Sequence, residues 1–251
     1  MPRTTEGIPR ILEASLAVCC LLLTSPLLLL VVIAVRMGSR GPVLFRQTRV
    51  GRGGRTFVLY KFRTMRTSSA GPYVTAEDDR RITPVGRFLR KTKLDELPEL
   101  WNVLRGDMAL VGPRPEVPHY VDREDPAWRF VLQYRPGITD PVTLRLRNEE
   151  KLLAGIRGDR EKFYREILQP FKLRGYEQYL VERTCWSDFA VLWQTGLAIA
   201  FPQRVSPPSI PEFRHSGIDQ PATSHHSAPA HEDLPLASAV TEQRPGTTAS
   251  R

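Results

Sequence analysis

Asp95 and Glu96 are adjacent carboxylates that follow a run of cations, Arg87, Arg90, Lys91 and Lys93. A carboxylate can serve as nucleophile, base or metal ligand. Cations at this density attract and neutralise anions, so the combination suits chemistry on a phosphate. Leu94, Leu97, Leu100, Trp101 and Leu104 recur at helical spacing and predict a short helix with one apolar face. Thr92, three residues before Asp95, reads as its start signal. Pro98 then falls in the first turns, and Gly106 ends the run. The pair would sit near a helix N-terminus, where partial positive charge favours anions. Taken alone, an acidic pair also fits a solvated cap, so the neighbouring residues decide.

A second cationic element follows in Val111-Gly112-Pro113-Arg114-Pro115. Two prolines fix the backbone on either side of Arg114. A guanidinium held this stiffly presents a planar fork of donors to a phosphate, although a packed turn with an exposed arginine has the same sequence. Lys61, Arg63 and Arg66 form a third group at the end of a strand-like run, Thr56–Phe62. That run pairs with Val43–Gln47 in an expected β-hairpin whose turn is Gly51-Arg-Gly53-Gly54. The glycines are turn residues, since no Gly-Lys-Ser/Thr follows and no helix opens there.

The elements that must position these groups begin with an apolar block over residues 11–36. Its length would span a bilayer. Pro26 removes one helical hydrogen bond and clashes with the Leu22 carbonyl, and Ser25 can bond backward and assist a bend. Arg3 and Arg10 precede the block, Arg36 and Arg40 follow it, and basic flanks at both ends depart from the usual one-sided bias. A kinked span and a broken helix that returns to the same face both fit. Residues 67–82 read as a loop, 148–184 as charged helices interrupted at Pro170, and Phe189–Phe201 as a last helix capped by Ser187-Asp188. Trp186, Phe189, Trp193 and Phe201 suit either a membrane interface or a core-closing helix. Residues 205–251, rich in Pro, Ser, Ala, Thr and His, read as a disordered tail, and their histidines are assigned no metal.

The 251 residues carry a net charge of +9. Such a chain seeks acidic partners: phosphorylated substrate, anionic lipid or nucleic acid. The three cysteines, two of them inside the apolar block, make no disulfide framework, and no Cys/His cluster has zinc spacing.

Six segments occur in a specific order: Thr24-Ser25-Pro26; Tyr60-Lys61-Phe62-Arg63-Thr64-Met65; Leu94-Asp95-Glu96-Leu97-Pro98-Glu99-Leu100; Arg105-Gly106-Asp107-Met108; Val111-Gly112-Pro113-Arg114-Pro115; and Arg135-Pro136-Gly137-Ile138-Thr139. Together they resemble the bacterial monotopic phosphoglycosyl transferases, sugar-1-phosphate transferases that start exopolysaccharide and glycan assembly on a polyprenyl phosphate. The resemblance covers residues 8–150 well and extends loosely to about 200. It implies an α+β fold: a mainly helical membrane-associated domain with a β-hairpin and a re-entrant membrane helix broken at Ser25-Pro26. The catalytic domain would occupy 37–204. Asp95 would be the nucleophile and Glu96 would bind Mg²⁺. Arg90, the Pro113–Arg114 turn and Arg147 would hold the phosphate-bearing substrate, with Lys61 nearby.

The implied partners are a UDP-sugar, undecaprenyl phosphate and membrane lipid, with no nucleic acid. A homo-oligomer is left open. The implied location is the bacterial inner (cytoplasmic) membrane, with the catalytic domain on its cytoplasmic face. One departure falls after Thr139, where many relatives carry a Gly-Leu-Ala-Gln-Val-Asn-Gly-Arg-Asn-like run. Here Asp140-Pro-Val-Thr-Leu-Arg145-Leu leads into Arg147-Asn148, which puts the substrate contacts of this segment in question. The competing function class is a membrane-anchored basic protein that binds anionic lipid or nucleic acid without catalysis. It gives Asp95 no special role.

Overall fold

The computed structural model describes residues 7–66 and 75–201. Half of the expected 67–82 loop and all of the 205–251 tail lie outside them. Helix α1, Arg10–Gly38, is one continuous helix that contains Pro26. The expected break is therefore not a gap between two elements. Its local chemistry is present all the same: the Leu22 carbonyl, which Pro26 cannot bond, accepts from the Ser25 hydroxyl at 2.8 Å. The Thr24 hydroxyl donates to the Cys20 carbonyl at 2.7 Å. The helix is long and apolar enough to cross a membrane.

One face of α1 nevertheless packs on the rest of the protein at both ends. Near its start Glu13 and Ala17 are buried, and Cys20 and Leu21 lie partly buried on the main core. Near its end Val31 and Val35 join Phe62 and Leu89 in a second apolar cluster. The opposite face leaves Ile11, Leu22, Leu23, Leu29, Leu30 and Met37 exposed.

The expected hairpin is present. Strands β1, Leu44–Val50, and β2, Thr56–Phe62, pair antiparallel from Leu44↔Phe62 to Val50↔Thr56. Gly53 and Gly54 take φ of 68° and 73° in the turn, a conformation that glycine adopts without Cβ strain. Beyond β2, Arg63 is 4 % exposed and donates to the carbonyls of Ser39 (2.7 Å) and Arg40 (3.0 Å) just past α1. The hairpin thus holds the end of the long helix.

Helix α2, Pro84–Thr92, is capped by Thr83, whose hydroxyl accepts from the Gly86 N–H at 2.9 Å. A Cβ on Gly86 would lie 2.0 Å from the Thr64 carbonyl oxygen, so only glycine permits this approach. Thr92 does not start the next helix as expected. It ends α2, and its hydroxyl donates back to the Phe88 carbonyl at 2.9 Å. The chain then reverses at Lys93, which has φ of 59°. Leu94–Glu96 form a 3₁₀ turn, and α3, Glu99–Arg105, begins only after Pro98. Asp95 and Glu96 are therefore placed by a left-handed lysine rather than by a helix cap.

Strands β3, Ala109–Val111, and β4, Gly137–Thr139, pair parallel. They set the two proline turns side by side: Gly137 N–H donates to Pro113 (3.0 Å), and Gly112 N–H donates to Thr139 (2.9 Å). Helix α4, Pro126–Val131, precedes β4. The segment that departs from the family pattern forms a short helix, α5, Pro141–Arg145. Buried Asp140 caps it, accepting from the Val142 and Thr143 N–H groups at 2.7 and 3.0 Å.

Helices α6, Glu149–Ala154, and α7, Arg160–Phe163, follow. A π-turn over Tyr164–Leu168 continues into α8, Gln169–Glu182. The interruption expected at Pro170 is absent. The wider turn just before it accommodates the hydrogen bond that proline cannot make. Helix α9, Cys185–Ala200, is capped by Thr184 and Ser187, each hydroxyl accepting from the other's N–H at 3.0 and 2.8 Å. Asp188 does not cap. It is buried, 2.7 Å from Arg183, and accepts from the Ile8 N–H. Val191 and Ala198 of α9 face the core, while Trp186, Trp193 and Phe201 stay exposed. The helix both closes the core and presents an aromatic face.

Candidate active site

The hairpin, the Leu94–Glu96 turn, the Arg114 turn and helices α5, α6 and α8 enclose a cavity of about 580 Å³. Asp95, Glu96, Lys61, Arg90, Arg114 and Arg147 all line it. Residues more than fifty positions apart in sequence thus meet in one place. Pro113 does not reach this wall. Its carbonyl holds the Gly137 N–H, so it positions Arg114.

Glu96 is the electrostatic centre. Arg114 Nη2 lies 2.5 Å from Glu96 Oε1 and Nη1 lies 3.4 Å from Oε2, a two-pronged contact. Lys61 Nζ donates to Glu96 Oε1 at 3.0 Å and forms an ion pair with Glu99 Oε1 at 3.1 Å. Burial alone would raise the Glu96 pKa, but Arg114 and Lys61 hold it well below the ordinary carboxylate range. Glu96 is therefore a fixed anion.

Asp95 differs. It is 7 % exposed, and its Oδ1 has no hydrogen-bond partner among the described residues. Burial, then the neighbouring Glu96 charge, raises its pKa above the usual aspartate value. An ionised carboxylate with one unsolvated oxygen is a reactive group waiting for a cation or an electrophile. Glu99 is buried too, and burial raises its pKa. Its signal in the sequence was spacing: the fourth residue after Asp95 brings a third acid to the same cluster.

The remaining cations are braced. Arg90 donates to Thr64 Oγ1 (3.0 Å) and Glu150 Oε1 (2.8 Å). Arg147 donates to the Ala198 carbonyl, so it ties α9 to the cavity wall as well. Asn102, fully buried in α3, donates to the Val58 carbonyl (2.7 Å) and accepts from the Tyr60 N–H (3.2 Å), which locks the acidic turn against β2. Neither Asn102 nor Thr64 could be singled out from sequence, because their roles depend on contacts between distant segments.

Carboxylate oxygens are the donors a hard dication such as Mg²⁺ takes, and Asp95 and Glu99 have buried oxygens lacking aligned hydrogen bonds among the described residues. No group of three or more His, Cys, Asp or Glu residues stands in metal-holding arrangement among the described residues. Phosphate oxygens and water would have to complete the shell, as Mg²⁺ usually requires.

Residues 4–202 match the family model described as "Bacterial sugar transferase". Among similar proteins is a UDP-glucose:undecaprenyl-phosphate glucose-1-phosphate transferase of Caulobacter vibrioides, 38 % identical over 201 residues, covering 78 % of this chain and 71 % of that protein. A protein of the same name from Escherichia coli is 36 % identical over 200 residues, covering 76 % of this chain but 40 % of its own length. A UDP-N-acetylgalactosamine-undecaprenyl-phosphate N-acetylgalactosaminephosphotransferase of Aeromonas hydrophila is 44 % identical over 137 residues, covering 53 % and 32 %. The chain thus spans well under half the length of two of these three relatives. On these matches the chain belongs to the bacterial sugar transferase family.

Proposed function

We propose that this protein transfers a sugar-1-phosphate from a UDP-sugar to undecaprenyl phosphate, as its relatives' names state for theirs, and that Asp95 carries the phosphosugar between the two. The observation that supports this most is the pairing of a fixed anion, Glu96, with a buried one, Asp95, whose Oδ1 has no hydrogen-bond partner among the described residues, inside a ring of cations.

A diphosphate repels a carboxylate, so its charge must be neutralised before attack. Arg114, Arg90 and Lys61 supply part of that neutralisation. Mg²⁺, held by Glu96 with Asp95 or Glu99, would add a Lewis acid on the phosphate oxygens. Asp95 attacks the sugar-bearing phosphorus, the P–O bond to UMP breaks, and UMP leaves with the bond's electron pair. The phosphate oxygen of undecaprenyl phosphate then attacks the same phosphorus. The aspartyl–phosphorus bond breaks, Asp95 is regenerated, and a polyprenyl-diphosphate sugar forms. Two displacements replace one difficult encounter between a water-soluble and a lipid substrate. The basic-binder alternative explains neither the orphaned Asp95 oxygen nor the two-pronged Arg114 grip on Glu96.

Purified protein in lipid nanodiscs should release UMP from a UDP-sugar only when Mg²⁺ is present. It should build labelled lipid when undecaprenyl phosphate is added. Protein quenched before lipid addition should gain the mass of one phosphosugar at Asp95. A protein that never consumes any UDP-sugar and never gains that mass is not such a transferase.

We also propose that α1 lies in one leaflet of the inner membrane as a re-entrant element, with the cavity on the cytoplasmic side. The support is its exposed apolar face together with contacts to one protein body near both ends. Single cysteines at Pro9 and Arg40, both exposed, in a background with Cys19, Cys20 and Cys185 replaced, should both react with an impermeant thiol reagent from the cytoplasmic side. Labelling from opposite sides would establish a span.

A further inference from the structure

The cavity has two unlike ends. At its rim it meets Lys93, Arg66 and Thr75, which are exposed or half-exposed. Deeper in, the walls are Tyr176, Leu153, Tyr164, Val142, Glu116 and Lys172, all buried. This inner end is polar in a particular way. Lys172 Nζ lies 2.9 Å from Glu149 Oε2, donates to the Tyr164 hydroxyl at 3.2 Å, and lies 3.7 Å from Glu116. The Tyr164 hydroxyl in turn donates to Glu116. That network is internally paired.

One member of the wall is not. Tyr176 is 1 % exposed, lines the cavity, and its hydroxyl finds no hydrogen-bond partner among the described residues. A buried hydroxyl without a partner is uncommon enough in folded proteins to require an explanation, and a ligand group supplies one. Glu116, in this buried wall, stands two residues after Arg114, the residue that grips Glu96. The inner end therefore adjoins the reacting carboxylates through the Arg114 turn.

We propose that this inner end holds the pyranose of the donor and that the Tyr176 hydroxyl hydrogen-bonds one of its ring substituents. The proposal rests on the transferase reading above and adds the place of the sugar. In a two-displacement cycle the sugar stays attached through both steps, while the nucleotide must leave and the lipid must enter between them. The enclosed end suits the part that is retained, and the open end suits the parts that exchange. A pyranose offers hydroxyls that both donate and accept, together with C–H faces. Tyr176 with the Lys172–Glu149 pair answers the hydroxyls, and Val142, Leu146 and Leu153 answer the faces.

Tyr176→Phe keeps the ring and removes one oxygen, so it tests the bond without opening a hole. The expected result is a kcat/KM roughly tenfold lower for the best UDP-sugar, the size of one lost hydrogen bond to substrate. UMP should inhibit variant and wild type equally, because nucleotide contacts lie elsewhere. The ratio of rates between UDP-glucose, UDP-galactose and their 2-acetamido forms should change by a similar factor, and melting temperature should not fall. If all donors lose rate by one common factor, or UMP inhibition weakens in parallel, Tyr176 does not read the sugar and the proposal is overturned. Wild-type protein that turns over none of these donors overturns the transferase reading first, a failure visible before any variant is made.

Discussion

Asp95→Asn should lower UMP release by about 10⁴-fold or more while the protein gains stability. The first effect follows because an amide cannot form the phosphoester. The second follows from burial. The pKa of Asp95 is raised by desolvation first and by Glu96 second. A carboxylate whose folded pKa exceeds its unfolded value destabilises the fold at any pH above both, since the ionised form is worse off inside. That penalty fades as pH falls through the folded value. Asparagine removes it at neutral pH. In chelator, the variant should melt about 2–4 °C higher near pH 7, equivalent to on the order of 1 kcal/mol for a domain of this size. The gap should close on acidification, measured by thermal melts across pH. A melting temperature lowered at pH 7 would show that Asp95 is a structural carboxylate. Retained turnover would remove it from the chemistry.

Arg114→Ala should reduce kcat/KM for the UDP-sugar about 100- to 1000-fold, the usual cost of losing one aimed cationic donor from a phosphate site. Arg114→Lys should recover little of it. Lysine brings a point charge, whereas both nitrogens of the Arg114 fork engage Glu96 and the prolines on either side fix the direction. Steady-state UMP release measures both variants. A lysine variant near wild-type rate would mean that charge alone matters at this position and that the fork has no role.

The chain's local signals translated well wherever local chemistry decides structure. The hairpin came from two strand-like runs and from the glycines between them, because only glycine enters that turn easily. Lys61, Asp95, Glu96 and Arg114, carried by three of the six motifs, line one cavity together with Arg90 and Arg147, which lie outside the motifs. What failed was the approach to the acidic pair. Thr92 has the right type and spacing for a cap, yet it closes the preceding helix. The actual device is Lys93 in a left-handed conformation, which side-chain type does not advertise. Pro170 misled for a similar reason: a π-turn upstream lets the helix pass through it. Asp188 looked like a cap, but the burial of Arg183 recruited it. Glu99, Asn102 and Tyr176 were hidden because their significance lies in what distant strands and helices bring beside them.

The seating of α1 has a consequence for the surroundings the protein tolerates. A spanning helix must match its apolar length to the bilayer, and it tilts or thins the lipid when it cannot. Helix α1 instead has both of its ends gripped by the same protein body, through Glu13 and Ala17 at one and Val31 and Val35 at the other. On the proposed one-leaflet placement, hydrophobic mismatch has nothing to act upon. Acyl-chain length then becomes irrelevant to how the cavity is held, and the same enzyme can work in membranes of quite different thickness.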